Sequence, residues 1–323
     1  MLNFEELGFT EKKYYDFPNI INLEVFRGAC PCSCVHCPVG KTPQAQRTER
    51  FGSNSISIER LEHVIQEISK WEHSTIRIHS VGDPILWDNL VPAIQLIHNY
   101  NVRSWIFTSL VTKDAFVLEA LCKYNSIIEV SVNSVDAEDY KRTKGIDAFQ
   151  LVKDNIAYMA SYISKNQLKT RLIVSRVQSE DELRDNAFVD YWKQTGLVAD
   201  AFVRKYHNYN NLLSSKNSEK QKCSSCLVHW MRFNIAYDGT VVTCFNELFH
   251  KVLRNDVVLG NIENNSIYEI WHSEKMAKLR AADLSGYKNN EYADDFPCRN
   301  CFSCQPYDGK RETSESQINK MDG

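Results

Sequence analysis

The sequence lacks long apolar runs, an excess of one charge, and a basic, hydrophobic start, and each absence removes a class of protein. No stretch of the 323 residues approaches the ~18 consecutive apolar residues of a membrane span, so no transmembrane anchor is expected. Lys and Arg total 38 against 41 Asp and Glu, a net charge of −3 that leaves no broad electrostatic footprint for nucleic acid or an anionic membrane. The opening MLNFEELGFTEKKYYDF is acidic and aromatic and has no apolar h-region, which gives the expectation of a cytoplasmic protein. No internal repeat of fixed period occurs. Hydrophobic residues at 43% and charged residues at 24% exclude a disordered chain, and the length suits one large catalytic domain with a small module appended.

Cysteine, by contrast, is plentiful. Ten of the 11 fall into clusters: Cys30, Cys32, Cys34 and Cys37; Cys223, Cys226 and Cys244; Cys298, Cys301 and Cys304. Only Cys122 stands alone. In a chain of this length with no secretion signal, thiols so tightly grouped point to metal rather than to disulfides. The choice lies between iron–sulfur and zinc.

After residue 19, short β-branched or aromatic runs alternate with longer amphipathic ones. Strands are expected at 21–26, 75–81, 103–108, 127–132, 170–175 and 199–204, and helices at 57–71, 90–100, 113–124, 149–164 and 180–194. Six such units imply an α/β fold with a parallel sheet and right-handed crossovers. The first Cys cluster follows the first strand directly, at the sheet edge where chemistry collects. The polar stretch 208–222 reads as a linker. Beyond it, runs at 233–237 and 241–245 flank Asp238-Gly239, a hairpin signal, and a helix is expected over 266–282 before a Cys-rich tail. The expected organisation is an extension (1–19), a core (20–207), the linker, a small α+β Cys-rich module (223–310) and a polar tail (311–323).

Cys30-x3-Cys34-x2-Cys37 places three thiolates on one short loop, enough for three corners of a [4Fe–4S] cube with one iron left open. With that loop just after the first strand of a six-fold βα array, the chain resembles the radical S-adenosylmethionine (SAM) superfamily over roughly residues 20–205, which implies a partial (βα)6 TIM-like barrel. The resemblance implies that the open iron chelates the amino and carboxylate groups of SAM and that one-electron reduction yields a 5′-deoxyadenosyl radical. It implies roles for Gly82 and Asp83, in Ser80-Val81-Gly82-Asp83-Pro84, toward the methionine amino group. It also draws in Ser109 at the third strand end, Ser131 and Lys144 for the SAM carboxylate, and Asn133 near the ribose. Lys144 stands where the family has Arg, a point charge in place of a fork. Cys32 is surplus to the three ligands and reads as a small buried residue.

Cys226-x12-Gly239-x4-Cys244, followed by Cys298-x2-Cys301-x2-Cys304, sets one thiol ahead of a hairpin and one at its end, to be met by a later pair. Four thiols so placed can close a second cube. This arrangement resembles the auxiliary-cluster module called SPASM, or its shortened twitch form, and implies one auxiliary [4Fe–4S] cluster on Cys226, Cys244, Cys298 and Cys301. Cys304 is a possible exchange ligand, and Cys223 is a structural residue, a ligand or a hydrogen-atom donor. A zinc ribbon is the rival reading of the module. Arg176, Gln178, Arg204, Tyr206 and His207 follow the fifth and sixth strands and are expected to face a polar substrate, with Arg176, Tyr206 and Cys223 as the catalytic candidates. Trp105 reads as core.

The expected activity is that of a radical SAM oxidoreductase or epimerase acting on an unactivated C–H bond of a small polar molecule such as a sugar or aminocyclitol, with the auxiliary cluster relaying an electron. Modification of a ribosomal peptide is the enzymatic rival, and a zinc-stabilised interaction protein the non-enzymatic one. The roughly 20 residues ahead of the first strand are too few for a leader-peptide domain, which favours the small molecule. An electron donor such as flavodoxin or ferredoxin is implied, and neither a nucleic-acid nor a membrane partner is expected.

Overall fold

Runs rich in Ile, Val and Phe form six strands, β1 (Ile20–Arg27), β2 (Thr75–Val81), β3 (Arg103–Thr108), β4 (Ile127–Ser131), β5 (Arg171–Val177) and β6 (Asp200–Arg204), each parallel to the next. The computed structural model describes residues 13–213, 225–288, 292–301 and 313–322. Between the strands run α1 (Ile58–Ile68), α2 (Leu90–Asn99), α3 (Ala115–Tyr124), α4 (Ala137–Lys144), α5 (Phe149–Lys165) and α6 (Glu182–Gln194). Ser57, Asp114, Asp136 and Asp181 each cap a helix by accepting a first-turn N–H. One parity of the strands, including Leu23, Ile76, Ile78, Ile106, Val130 and Val174, packs on the helices as a continuous core. The opposite parity contributes Ile20, Trp105, Ile127, Ile173 and Phe202 to a second cluster inside the curved sheet. This is the parallel α/β sheet expected from the periodicity, curved as the partial (βα)6 barrel that the resemblance implies.

Two helical expectations change. The stretch 266–282 is two helices, α8 (Ile267–Trp271) and α9 (Glu274–Leu284), because Ser273 accepts from Met276 N and starts the second afresh. The segment after β4, which reads as a binding motif, is itself α4, closed by Gly145 in the left-handed region.

The Cys-rich module opens with α7 (Leu227–Met231), which runs directly into β7 (Arg232–Ile235). β7 turns through Asp238-Gly239 to antiparallel β8 (Thr240–Val242), and β9 (Val258–Asn261) follows. β7 also pairs parallel with β1, so one nine-stranded sheet results, in the order β6-β5-β4-β3-β2-β1-β7-β8-β9.

The segment read as a polar tail carries α10 (Ser314–Asp322), whose polarity is engaged beneath the barrel. Arg232 forks onto Glu315 at 2.6 and 2.8 Å, Arg171 donates to Gln317 O at 2.6 Å, and Gln317 donates to Asp200 at 2.8 Å. Ile318 joins the inner apolar cluster. The helix therefore closes the amino-terminal end of the barrel, opposite the Cys loop. Among the described residues no helix is long and apolar enough to cross a membrane.

Glu315→Ala leaves the buried Arg232 guanidinium without its counter-charge, a change that typically costs about 3–5 kcal/mol. Denaturant unfolding should show that loss. A drop below about 1 kcal/mol, the range of exposed pairs, would contradict the closure by α10.

Candidate functional site

The first thiol loop leaves β1 at Gly28 and is held from three sides. Gly28 N donates to Val81 O at 2.8 Å and Asp83 N to Ala29 O at 2.9 Å, fastening the loop to the end of β2. Ser33 N donates to Lys144 O at 2.7 Å and Val35 N to Thr143 O at 3.0 Å, fastening it to the last turn of α4. The buried Arg47 donates to Cys30 O at 2.7 Å and Ser33 Oγ at 2.9 Å. Two glycines allow the approach. A Cβ on Gly82, whose φ is +152°, would lie 2.2 Å from Ala29 O, and one on Gly145, φ +70°, would lie 2.7 Å from Ser33 O.

Cys30, Cys32, Cys34 and Cys37 are thereby gathered at the carboxyl end of the barrel. Hydrogen bonding to Cys32, then burial, pushes the Cys30 and Cys34 thiols up, while burial leads for Cys37. Buried thiols that resist ionising alone are relieved by a cationic metal core, so the donor set fits an iron–sulfur cluster. Lys144, 2% exposed, stands behind them with Nζ 2.7 Å from Ser131 O. Burial opposes its charge, but Cys34, Cys32, Tyr140 and Cys30 together hold its pKa above the usual lysine value.

Ser131, Asn133 and Lys144 meet at the end of β4. Ser131 Oγ accepts from Asn133 Nδ2 at 2.9 Å and lies 3.3 Å from Lys144 Nζ, while Asn133 Oδ1 accepts from Val177 N at 2.8 Å. Asp83 is differently placed. Its carboxylate accepts from Thr108 Oγ1 (2.8 Å), Ser109 N (2.8 Å), Ser109 Oγ and Ile85 N (3.1 Å). It is fully engaged in bracing β2 to β3, with Ser109 as its partner, and burial raises its pKa.

Arg176 corrects the expectation that it faces substrate. Strand alternation turns it to the helix layer, where it pairs with Asp185 at 3.0 Å, donates to Arg184 O at 3.2 Å and lies 5.6 Å over the Phe188 ring. Arg204 points into the barrel and forks onto Glu129. Gln178 is exposed. Trp105 is core, and its Nε1 donates to Glu129 at 3.1 Å. Tyr206 is half-buried, its phenol raised by burial. The His207 ring packs edge-on against Phe245 at 5.3 Å, and burial lowers its pKa to about 3.

The second set is gathered too. Cys226 caps α7, Cys244 follows β8, and Cys298 and Cys301 lie on and just after a short turn of helix at Pro297–Asn300. Burial raises Cys244 and Cys298, and each feels the charges of Cys226 and Cys301. Asp283, wholly buried, accepts from Cys226 N at 2.9 Å and Trp230 Nε1 at 3.1 Å, and His229 Nε2 lies 3.7 Å from Cys298 Sγ. Among the described residues no group of three or more His, Cys, Asp and Glu side chains has the spacing of a single-ion site. Cys223 and Cys304 lie outside the described residues. A cavity of about 580 Å³ opens beside Cys301, walled in part by Asn208, Glu247 and Arg254.

The first thiol set packs against the module, next to Phe245, the neighbour of Cys244 in the chain. Cys30, Cys37, Tyr209 and Phe245 pack on one apolar cluster, in which Val39, Phe51 and Val81 come from the loop side and Ala236, Val242, Leu248 and Phe249 from the module. Arg47, Tyr209, His229 and Asp283 are partners that sequence reading missed, since each acts across a long chain separation. His36 carried a signal, lying inside the motif itself: burial holds its pKa at about 3, and it feels Lys144 and Cys32.

The Radical SAM superfamily model matches residues 25–188, just over half of the chain, and the model of SPASM, an iron–sulfur cluster-binding domain, matches residues 223–304. No curated protein matches. Among solved structures, BtrN in complex with AdoMet and 2-DOIA is similar at 16% identity and a TM-score of 0.52, over 92% of this chain and 97% of that one. Streptococcus suis SuiB bound to its precursor peptide SuiA has 12% identity and a TM-score of 0.64, over 84% and 69%. The anSMEcpe structure with bound AdoMet has 14% identity and a TM-score of 0.61, over 94% and 95%. At these identities the likeness is one of fold.

Gly145→Val drives a side chain into the backbone of Ser33 and should displace the first loop while sparing the second thiol set. Iron per chain after anaerobic reconstitution is expected to fall from about eight to about four, one cube of two, with circular dichroism unchanged. A full complement of iron would contradict the clamping role of this contact.

Proposed function

The chain belongs to the radical SAM superfamily, and from that premise we propose that it abstracts a hydrogen atom from an unactivated C–H bond of a small polar substrate, ending in dehydrogenation or epimerisation. The observation that carries this reading is the packing of module side chains, among them Val242 and Phe245 on either side of Cys244, against Cys30 and Cys37 of the first loop. When bound, SAM and the clusters supply a 5′-deoxyadenosyl radical and a one-electron acceptor.

In this proposal Cys30, Cys34 and Cys37 hold the SAM cluster, and Cys226, Cys244, Cys298 and Cys301 hold the auxiliary one. Lys144 and Ser131 bind the carboxylate of SAM and Asn133 orients its ribose. Gly82 keeps its backbone open to the methionine end, and Ser109 and Asp83 fix the shape of that wall without offering a free carboxylate. Tyr206 and His207 line the rim, and Phe245 and Tyr209 exclude water between the two thiol sets. Arg176 is a positioning residue that ties β5 to α6. A flavodoxin or ferredoxin delivers the electron. The charged interior, with Arg77, Glu129 and Arg204 on the alternate strands β2, β4 and β6, supports a small polar substrate.

Under reducing, anaerobic conditions with SAM, release of 5′-deoxyadenosine followed by mass spectrometry should disappear in Cys30→Ala, Cys34→Ala and Cys37→Ala. It should persist in Cys32→Ala and, provided the module folds, in Cys244→Ala. Loss in Cys32→Ala with retention in Cys30→Ala would reverse the ligand assignment, and no release from iron-loaded wild type would overturn the function.

A further inference from the structure

The inner face of β2 carries two polar side chains that the chemistry above leaves unused. Arg77 and His79 share one parity of the strand, opposite Ile76 and Ile78, which are 0% exposed on the helix side. Both keep a little exposure, Arg77 over 13% of its side chain, although they stand in the middle of a sheet covered by helices.

Among the described residues the charges there do not balance. Arg77 and Arg204 face a single carboxylate, Glu129, and Arg204 takes both of its oxygens. The indole of Trp105 donates to Glu129 as well, which leaves Arg77 at 4.0 Å from Oε2. The nearby Arg232 and Glu315 form a closed pair and lend no spare charge. Arg77 has a 3.3 Å contact to Ser314 Oγ and rests 5.2 Å over the Trp105 ring, which fixes its plane. Among the described residues its Nε is buried without a hydrogen-bond partner, and so is Nε2 of His79 above it. Burial and then Arg204 press the Arg77 pKa down to about 9, which still leaves it charged at neutral pH.

A buried guanidinium with an unmet donor and a surplus positive charge is costly to keep, and a carboxylate or phosphate offers it the bidentate partner its geometry suits. We propose that the barrel interior binds an anionic group of the substrate, with Arg77 as the principal contact and His79 holding a neutral polar group just above. This rests on the reading of the interior as the substrate site and narrows its class: a phosphorylated or carboxylated polar molecule rather than an unmodified aminocyclitol. Depth sets its shape. Val81 is in register with Arg27, where the thiol loop begins, and Arg77 lies four residues earlier, roughly 13 Å at ~3.3 Å per residue. The anionic end therefore sits well below the reacting carbon, and the molecule is extended.

The test measures the unfolding midpoint of the anaerobic, iron-loaded enzyme at constant ionic strength while chloride is replaced by inorganic phosphate or by malonate. Wild type is expected to show a saturable rise of a few degrees with one of the two, which identifies phosphate or carboxylate as the favoured chemistry. Arg77→Met should need at least tenfold more anion for the same rise, and Arg77→Lys, with charge but no fork, should fall between. Arg77→Gln carries the comparison if the methionine variant does not fold. An equal response in wild type and the Met or Gln variant, or no response in wild type, would overturn the proposal. Because the readout needs no turnover, a lost anion response beside intact SAM cleavage removes only this site, and absent SAM cleavage beside an intact response removes only the function.

Discussion

Four register pairs between β1 and β7, from Ile20 with Arg232 to Leu23 with Ile235, are the constraint on which the rest depends. They continue the barrel sheet into the Cys-rich hairpin, and with it carry Cys244 and Phe245 to the side of Cys30 and Cys37. Polar contacts reinforce the seam. Asn22 Nδ2 donates to Asn234 Oδ1 at 2.8 Å across it. Glu24 accepts twice from Arg27 and once from Tyr237 N, while Arg27 also donates to Phe51 O and Leu248 O. Each of these groups is buried, so removing one strands the others. A module that merely hung from a flexible linker would not hold its thiols at a fixed place beside the first loop.

Charge is distributed along the barrel axis in a way that separates closure from chemistry. At the amino-terminal end, pairs such as Arg232 with Glu315 and Asp200 with Lys320 are closed, and α10 shuts that end with them. At mid-depth, two arginines share one glutamate. At the carboxyl end, the buried Lys144 stands beside the thiols with its Nζ on Ser131 O.

Much of this was legible in the sequence, for identifiable reasons. Apolar residues on one parity, Ile76 and Ile78 among them, mark the helix-facing side of short runs, so β2 and β3 occur at the residues expected. The thiol spacings carry their own geometry, and both sets assemble. What stayed hidden depends on long-range partners. Glu315 and Gln317, in the segment read as a polar tail, meet arginines on β7 and β5, and nothing local reports that. Arg176 shows the opposite case: strand alternation alone, applied to β5, would have turned it away from the substrate. Asp83 looked free because its four donors lie on β3 and on the turn it caps. Ser273 is an ordinary helix residue in composition but an N-cap in place, which broke one expected helix into two.

The most direct test of the central claim, two iron–sulfur sites joined by one sheet at the mouth of one barrel, is anomalous diffraction at the iron edge from crystals of the anaerobically reconstituted enzyme. The account predicts two iron peaks, one enclosed by Cys30, Cys34 and Cys37 and the other by Cys226, Cys244, Cys298 and Cys301, both at the carboxyl end of the barrel strands. A single iron peak, or a zinc-edge signal at the second thiol set, would contradict it.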